Sequence, residues 1–299
     1  MTANFAWTYP LKQIWGIGWE PLLLAIGFIA AMTTFTFIAR KQGLKEKTFS
    51  FYFYIGLISI VFGVAGGILF QLIFDIFKYT FDIFRLYGIP KSEGGKTLGY
   101  TFMGGLLTGT VVFLLLQKFF SRRFLSEEQS KVGFAASVRA FPAALFAALF
   151  FARVGCFLAA CCYGIKMPDG TPFPLGVDFG KGVDPVTGAR IPQWNFPANL
   201  CEAVFALIMF FVCFMAQSEK TGKKLKFLDT GRDPIIIAYI SYGLFRFVLE
   251  YLRGDPERGN FLFQSLFTPS QCLCIAMLIA GVLMLYFRLQ KKPEVMRCK

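Results

Sequence analysis

Seven long apolar runs set the first constraint on this chain: Leu22 to Ala39, Phe51 to Phe74, Tyr100 to Phe120, Phe141 to Cys162, Leu200 to Ala216, Ile235 to Tyr251 and Phe261 to Phe287. Each approaches or exceeds the roughly 20 residues that a helix needs to cross the hydrocarbon core of a bilayer. Of the 299 residues, 56% are hydrophobic and 16% are charged, whereas a soluble domain carries about 25% charged residues. A soluble protein is therefore excluded. The pattern predicts an all-α, polytopic membrane protein with seven transmembrane helices, organised as one integral membrane domain over residues 1–299.

The net charge is +13, from 31 Lys and Arg against 18 Asp and Glu. In a soluble chain this excess would point to nucleic acid, but its placement here speaks for topology. Arg40, Lys41, Lys45 and Lys47 follow the first run; Lys118 lies at the inner end of the third, with Arg122, Arg123 and Lys131 between it and the fourth. Lys220, Lys223, Lys224, Lys226 and Arg232 follow the fifth; Arg288, Lys291, Lys292, Arg297 and Lys299 close the chain, so alternate connections hold 18 basic residues. By the positive-inside rule, the N-terminus faces out and the C-terminus in. No nucleic-acid partner is expected.

The first twenty residues contain Trp7, Pro10, Trp15, Trp19 and Glu20 in place of a charged segment followed by an apolar stretch, so the first span is expected to anchor the chain itself. Residues 165–196 form the longest outward-facing loop, rich in Pro and Gly, with turn signals at Asp169-Gly170 and Gly180-Lys181-Gly182. Residues 78–96 mix Phe and Tyr with Lys78, Asp82 and Arg85, which suits either an interfacial helix or an extension of the second span.

An ionisable group inside a membrane span is costly, and its default reading is functional. Span four holds Arg139 and Arg153, within about 40° of one helical face. In span six Tyr242, Arg246, Glu250 and Arg253 fall within about 80° of arc and make one polar stripe. Span five opens with Asn199 and Glu202, and span one with Glu20. The deduced topology brings Glu20, the Met103-Gly104-Gly105 step, Arg153, Asn199, Glu202, Glu250 and Arg253 to one outer level. An i,i+4 ion pair and snorkelling ends account for part of this set, but not for a stripe that extends inward to Arg246.

Arginines with carboxylates at that depth suit an anionic headgroup, because guanidinium offers phosphate a bidentate fork. The chain has no histidine. A proton near pH 7 must therefore be taken by Glu, Cys, Tyr or a basic group with a shifted pKa, and haem, copper or catalytic zinc sites that need histidine are excluded. No metal or other cofactor is assigned. Gly104-Gly105, and Gly155 with Gly164, permit close helix approach or admit a ligand against bare backbone.

Cys213, Cys272 and Cys274 fall within apolar spans and read as small buried hydrophobes. Cys156, Cys161 and Cys162 differ, being three thiols within seven residues beside Arg153. They suit a low-pKa thiolate, an acyl or disulfide acceptor, or a soft-metal site, with plain packing as the alternative. On a continuous helix, Cys161 lies about half a turn off the face that follows Cys156.

The segment Ala152-Arg153-Val154-Gly155-Cys156-Phe157-Leu158-Ala159-Ala160-Cys161-Cys162-Tyr163-Gly164 resembles the signature of bacterial prolipoprotein diacylglyceryl transferases, an Arg-x-Gly-Asn-Phe stretch leading to a Glu and a final Gly. Phe102-Met103-Gly104-Gly105-Leu106 is similar to that family's Phe-His-Gly-Gly-Leu step, and Pro197-Ala198-Asn199-Leu200-Cys201-Glu202-Ala203 to its Pro-x-Gln-Leu-Tyr-Glu-Ala. Tyr242-Gly243-x-x-Arg246-Phe247-x-x-Glu250-x-x-Arg253 resembles its late Tyr-Gly-x-x-Arg-Phe-x-x-Glu-x-x-Arg motif.

The resemblance implies seven spans in a bacterial cytoplasmic membrane. It also implies transfer of a diacylglyceryl group from phosphatidylglycerol to the lipobox cysteine of a lipoprotein precursor, with release of glycerol phosphate. Arg153 and Arg246 would grip the phosphate, and the polar positions read from the spans add Arg139, Arg253, Asn199 and Glu202 as further candidate binding residues. Glu250 would orient Arg246 or assist proton transfer. Tyr242, Glu20, Cys156 and Cys161 complete the candidate catalytic set, Gly164 would give backbone room, and Gly104 and Gly105 would line the lipid cavity.

Departures cluster at chemistry positions. Cys156 stands for the signature Asn, Cys161 for the Glu, Met103 for the His, Glu20 for a span-one Tyr, and Gly67 for an Arg. Three readings follow. The first is a phospholipid-dependent transferase, with Glu20 or Glu250 as base or with the cysteines taking part. The others are a binder or transporter of anionic lipids, and a membrane thiol enzyme using Cys156, Cys161 and Cys162.

Overall fold

The computed structural model describes residues 13–14, 17–79, 102–180, 182–184, 187–189, 191–217, 234–253 and 267–290. Among them are seven helices: α1 (Trp19–Lys41), α2 (Glu46–Tyr79), α3 (Phe102–Phe124), α4 (Glu127–Leu158), α5 (Ala198–Met215), α6 (Pro234–Glu250) and α7 (Pro269–Gln290). Six are long and apolar enough to cross a membrane. The remaining helix, α6, has 17 residues and carries the polar stripe. Strand content is confined to two short antiparallel pairs, β1 (Gln13–Ile14) with β2 (Ile17–Gly18) and β3 (Val177–Asp178) with β4 (Trp194–Asn195). The protein is a mostly helical, multi-pass membrane protein.

Two helix starts follow from capping boxes, in which a side chain and a backbone N–H three residues apart satisfy one another. Before α4, the Ser126 N–H donates to Gln129 Oε1 at 3.1 Å and the Gln129 N–H to Ser126 Oγ at 3.3 Å. Before α7, Thr268 and Gln271 exchange the same bonds at 3.0 and 3.3 Å, with Pro269 at the first helical position, where no N–H is needed. These caps move both boundaries away from the ends of the apolar runs. α4 begins well before Phe141, and α7 begins at Pro269 rather than Phe261. Lys78 and Tyr79 end α2; the rest of the expected interfacial segment 78–96 lies outside the described residues.

The chain divides into two compact units, Ala39–Ser137 and Met1–Ile38 with Val138–Lys299. In the first, α2 and α3 approach through glycine: a Cβ on Gly63 would come within 2.9 Å of the Gly105 carbonyl, and one on Gly104 would strike the Phe70 side chain. Tyr52, fully buried, donates its hydroxyl to the Ser130 carbonyl at 2.8 Å, inside a core of Ile55, Leu125, Phe113 and Phe134.

In the second unit, Gly27 of α1 lies against the Ala148 carbonyl of α4, and Gly243 of α6 against the Cys274 carbonyl of α7. Phe205 of α5 stacks on Phe245 of α6 with ring centroids 3.9 Å apart, and Phe146 of α4 meets the Tyr242 ring edge-on at 6.1 Å. These rings hold the start of α5 and the middle of α6 in one register, and the candidate site is built there.

Candidate functional site

The segment after α4 is set by how that helix stops. The Cys161 N–H donates to the Cys156 carbonyl at 3.0 Å and the Ala160 N–H to the Phe157 carbonyl at 3.1 Å. These are the two bonds of a Schellman ending, in which the residue at C′ turns left-handed. Here that residue is Ala160, with φ of 52°, and Cys162 follows at 56°. Non-glycine residues in this region each store about 1–3 kcal/mol and occur chiefly at functional sites.

The reversal corrects an expectation from the sequence. On a continuous helix Cys161 would stand off the face of Cys156, but α4 ends at Leu158, and the turn carries Cys161 and Cys162 back. The Sγ atoms of Cys156, Cys161 and Cys162 all lie within 4.8 Å of one another. Cys156 is buried, and the other two are partly exposed. Hydrogen bonds with Cys156 and Cys161, followed by the charges of Arg253 and Arg153, hold the Cys162 thiol below its ordinary pKa.

Gly164 locks this segment in place. Its N–H donates to the Phe196 carbonyl at 2.6 Å, and the Ile165 N–H donates to the Leu252 carbonyl at 3.0 Å. A Cβ on Gly164 would run into the Leu252 carbonyl and come within 2.9 Å of the Phe196 carbonyl. Asn199 Nδ2 donates to the Cys161 carbonyl at 2.8 Å. The exit of α4, the entrance of α5 and the exit of α6 are thus tied through backbone groups. Part of the expected outward loop 165–196 packs behind them, with Phe179 stacked on Tyr163 at 5.0 Å and Val177 against Ala160.

A buried charge network lies alongside. Glu202 is 1% exposed. Its Oε2 is 2.9 Å from Arg153 Nε, whose N–H points off the line of contact, so that pairing is ionic rather than a hydrogen bond. Its Oε1 accepts the Tyr242 hydroxyl at 3.0 Å and stands 3.9 Å from Arg246 Nε. Arg246 Nη2 is 2.8 Å from Glu250 Oε2, and Thr268 Oγ1 donates to Glu250 Oε1 at 3.2 Å. Arg246 is 3% exposed, yet its Nη1 has no hydrogen-bond partner among the described residues. Arg253 lies within electrostatic reach of both Glu202 and Cys162.

The structure therefore brings together Arg153, Glu202, Tyr242, Arg246, Glu250 and Arg253, with Asn199 and Gly164 as backbone clamps. Glu202 is the hub, a role that sequence periodicity alone did not assign, because its partners come from two other helices, α4 and α6. Thr268 was missed; its signal is the Thr-Pro-x-Gln cap, which aims the hydroxyl at the end of α6. Arg139 is exposed on α4, about 21 Å along the helix from Arg153, and does not join the cluster. Glu20 is exposed, although its backbone packs against Gly155, two residues from Arg153. Gly104 and Gly105 serve the contact of α2 with α3.

Comparison with known proteins gives the family of the chain. A family model described as prolipoprotein diacylglyceryl transferase matches residues 11–287. The chain is 26% identical over 272 residues to a phosphatidylglycerol–prolipoprotein diacylglyceryl transferase of Clostridium tetani, covering 90% of this chain and 91% of that protein. It is 25% identical over 267 residues to a second enzyme of that name from Clostridium perfringens, with 88% and 87% covered. A relative of the same name in Acinetobacter baumannii is 24% identical over 277 residues, with 92% and 90% covered.

Proposed function

Since the chain belongs to the prolipoprotein diacylglyceryl transferase family, we propose that it moves a diacylglyceryl group from phosphatidylglycerol to the cysteine thiol of a lipoprotein precursor. The observation that carries this reading is the buried Nη1 of Arg246, which has no acceptor among the described residues. Leaving a buried donor unmade costs about 1–3 kcal/mol, and more when it is charged. A phosphate oxygen satisfies it.

Arg153 and Arg246 then hold the phosphate, while Glu202 and Glu250 fix the planes of the two guanidinium groups. Two arginines and two carboxylates cancel, so a bound phosphodiester brings one uncompensated negative charge, and Arg253 balances it. In the reaction, the acceptor thiol gives up its proton to solvent, its sulfur attacks the glyceryl carbon, the C–O bond breaks, and glycerol phosphate leaves with the electron pair. The arginines stabilise the charge that grows on this leaving group. Positive-inside charge supports an N-out, C-in orientation in the bacterial inner membrane, with 165–196 facing outward.

The test is a proteoliposome assay with labelled phosphatidylglycerol and a lipobox peptide. Transfer of the label to the peptide cysteine is expected. Folded, inserted protein that leaves the peptide unmodified overturns the proposal, and native mass spectrometry showing bound phospholipid would then leave a lipid-binding homologue.

A further inference from the structure

Three thiols held within 4.8 Å by strained backbone are more than an isolated reactive cysteine. Thiolates around one soft ion, with metal–sulfur bonds of about 2.3 Å, stand about 4 Å apart, so the observed spacing needs a contraction of less than about 1 Å. The backbone bearing these thiols is fixed independently: Cys161 through its N–H to the Cys156 carbonyl and its own carbonyl to Asn199, and Cys162 by the neighbouring Gly164 clamp. Pre-ordered ligands of this kind distinguish a built site from a chance cluster. Partial exposure of Cys161 and Cys162 gives an ion access. A divalent ion with three thiolates carries one net negative charge, and Arg253 and Arg153 both stand within electrostatic reach of Cys162.

We propose that Cys156, Cys161 and Cys162 form a tris-thiolate site for one soft divalent cation of the zinc class, with a fourth position open to the acceptor thiol. The fourth-position clause rests on the proposed transferase function. Three protein ligands with one open position is the arrangement of catalytic rather than structural zinc, and a thiol bound to such an ion is deprotonated outright. The ion thereby performs the task that a histidine base would have had. The acceptor thiol loses its proton to solvent on binding. Its sulfur then forms the C–S bond to the glyceryl carbon while the C–O bond breaks, and the oxygen leaves with that bonding pair as glycerol phosphate. The ion keeps its charge throughout.

The test uses reduced, chelator-stripped, full-length protein in detergent, titrated with Cd(II) and followed by the cadmium–thiolate absorption band. One equivalent should saturate the band, and Zn(II) should displace it. Cys161→Ser and Cys162→Ser should each weaken binding at least about tenfold, and Cys213→Ser should not. Should a serine variant fail to fold, alkylation of the parent protein read by mass spectrometry serves in its place. Zn(II) should then slow labelling of Cys161 and Cys162 at least about tenfold and leave Cys272 unchanged. The absence of a saturable band, no protection, or a disulfide formed within the cluster without metal uptake overturns the site. Metal binding without diacylglyceryl transfer upholds the site and refutes the transferase reading. Transfer that proceeds unchanged in chelator refutes the fourth-position clause.

Discussion

Replacing Glu202 by Gln tests whether one carboxylate organises the charge network. The substitution keeps the side chain's size and leaves one acceptor oxygen for the Tyr242 hydroxyl, but it removes the charge that faces Arg153 at 2.9 Å and Arg246 at 3.9 Å. With charge centres about 4 Å apart and an effective dielectric of about 20, each such pairing is worth about 4 kcal/mol. The retained acceptor and local water offset part of this, and measured losses for a broken buried pair are about 3–5 kcal/mol. That range is expected here, a loss of at least about 100-fold in the folding equilibrium.

The measurement is reversible unfolding of the purified protein in mixed micelles of rising SDS fraction, followed by tryptophan fluorescence. An Arg153→Gln, Glu202→Gln double variant removes both charges, so it should recover about 2–3 kcal/mol relative to additivity. A single variant within about 1 kcal/mol of the parent, or an additive double variant, would refute the hub.

Arg246→Ala should lower diacylglyceryl transfer by more than about 100-fold, a transition-state loss of about 2.7 kcal/mol, in the proteoliposome assay. Gly164→Ala should destabilise by about 1–3 kcal/mol in the SDS titration, because the carbonyls that its Cβ meets are backbone atoms engaged in hydrogen bonds. Thr268→Ala should cost about 1 kcal/mol, since it removes a helix cap together with the bond to Glu250. Cys162 is nucleophilic as the thiolate, and its pKa is lowered; its alkylation should therefore set in below the ordinary thiol value of about 8.5. Arg253→Ala should move that onset upward, and pH-resolved alkylation with peptide mass spectrometry reads both.

The membrane fold was legible because apolar length is a local property, and the stripe Tyr242, Arg246, Glu250 was legible because helical periodicity is local too. What periodicity could not supply was partnership across helices. Glu202 and Asn199 opened α5 as a polar pair, but Glu202 turned inward to three side chains, whereas Asn199 bonded a backbone carbonyl. Arg139 shared a face with Arg153 in projection, and depth along the axis separated them. The cysteine cluster escaped an angular argument because the helix was assumed to run through Cys162. A left-handed alanine, which no propensity favours at that position, ends it earlier. The capping boxes at Ser126 and Thr268 were readable from sequence spacing and would have corrected two boundaries.

Cancellation within the Arg153, Glu202, Arg246 and Glu250 set also bears on how a headgroup arrives. Four charges that sum to zero within a few ångströms produce a field that decays faster than that of a single ion, so this quartet exerts little long-range pull on lipid phosphate. Electrostatic steering, with its steep dependence on ionic strength, then rests on the single charge of Arg253 and not on the quartet. On the proposed function, lateral diffusion within the leaflet delivers the donor, and recognition begins when the phosphate comes within hydrogen-bonding distance of Arg246.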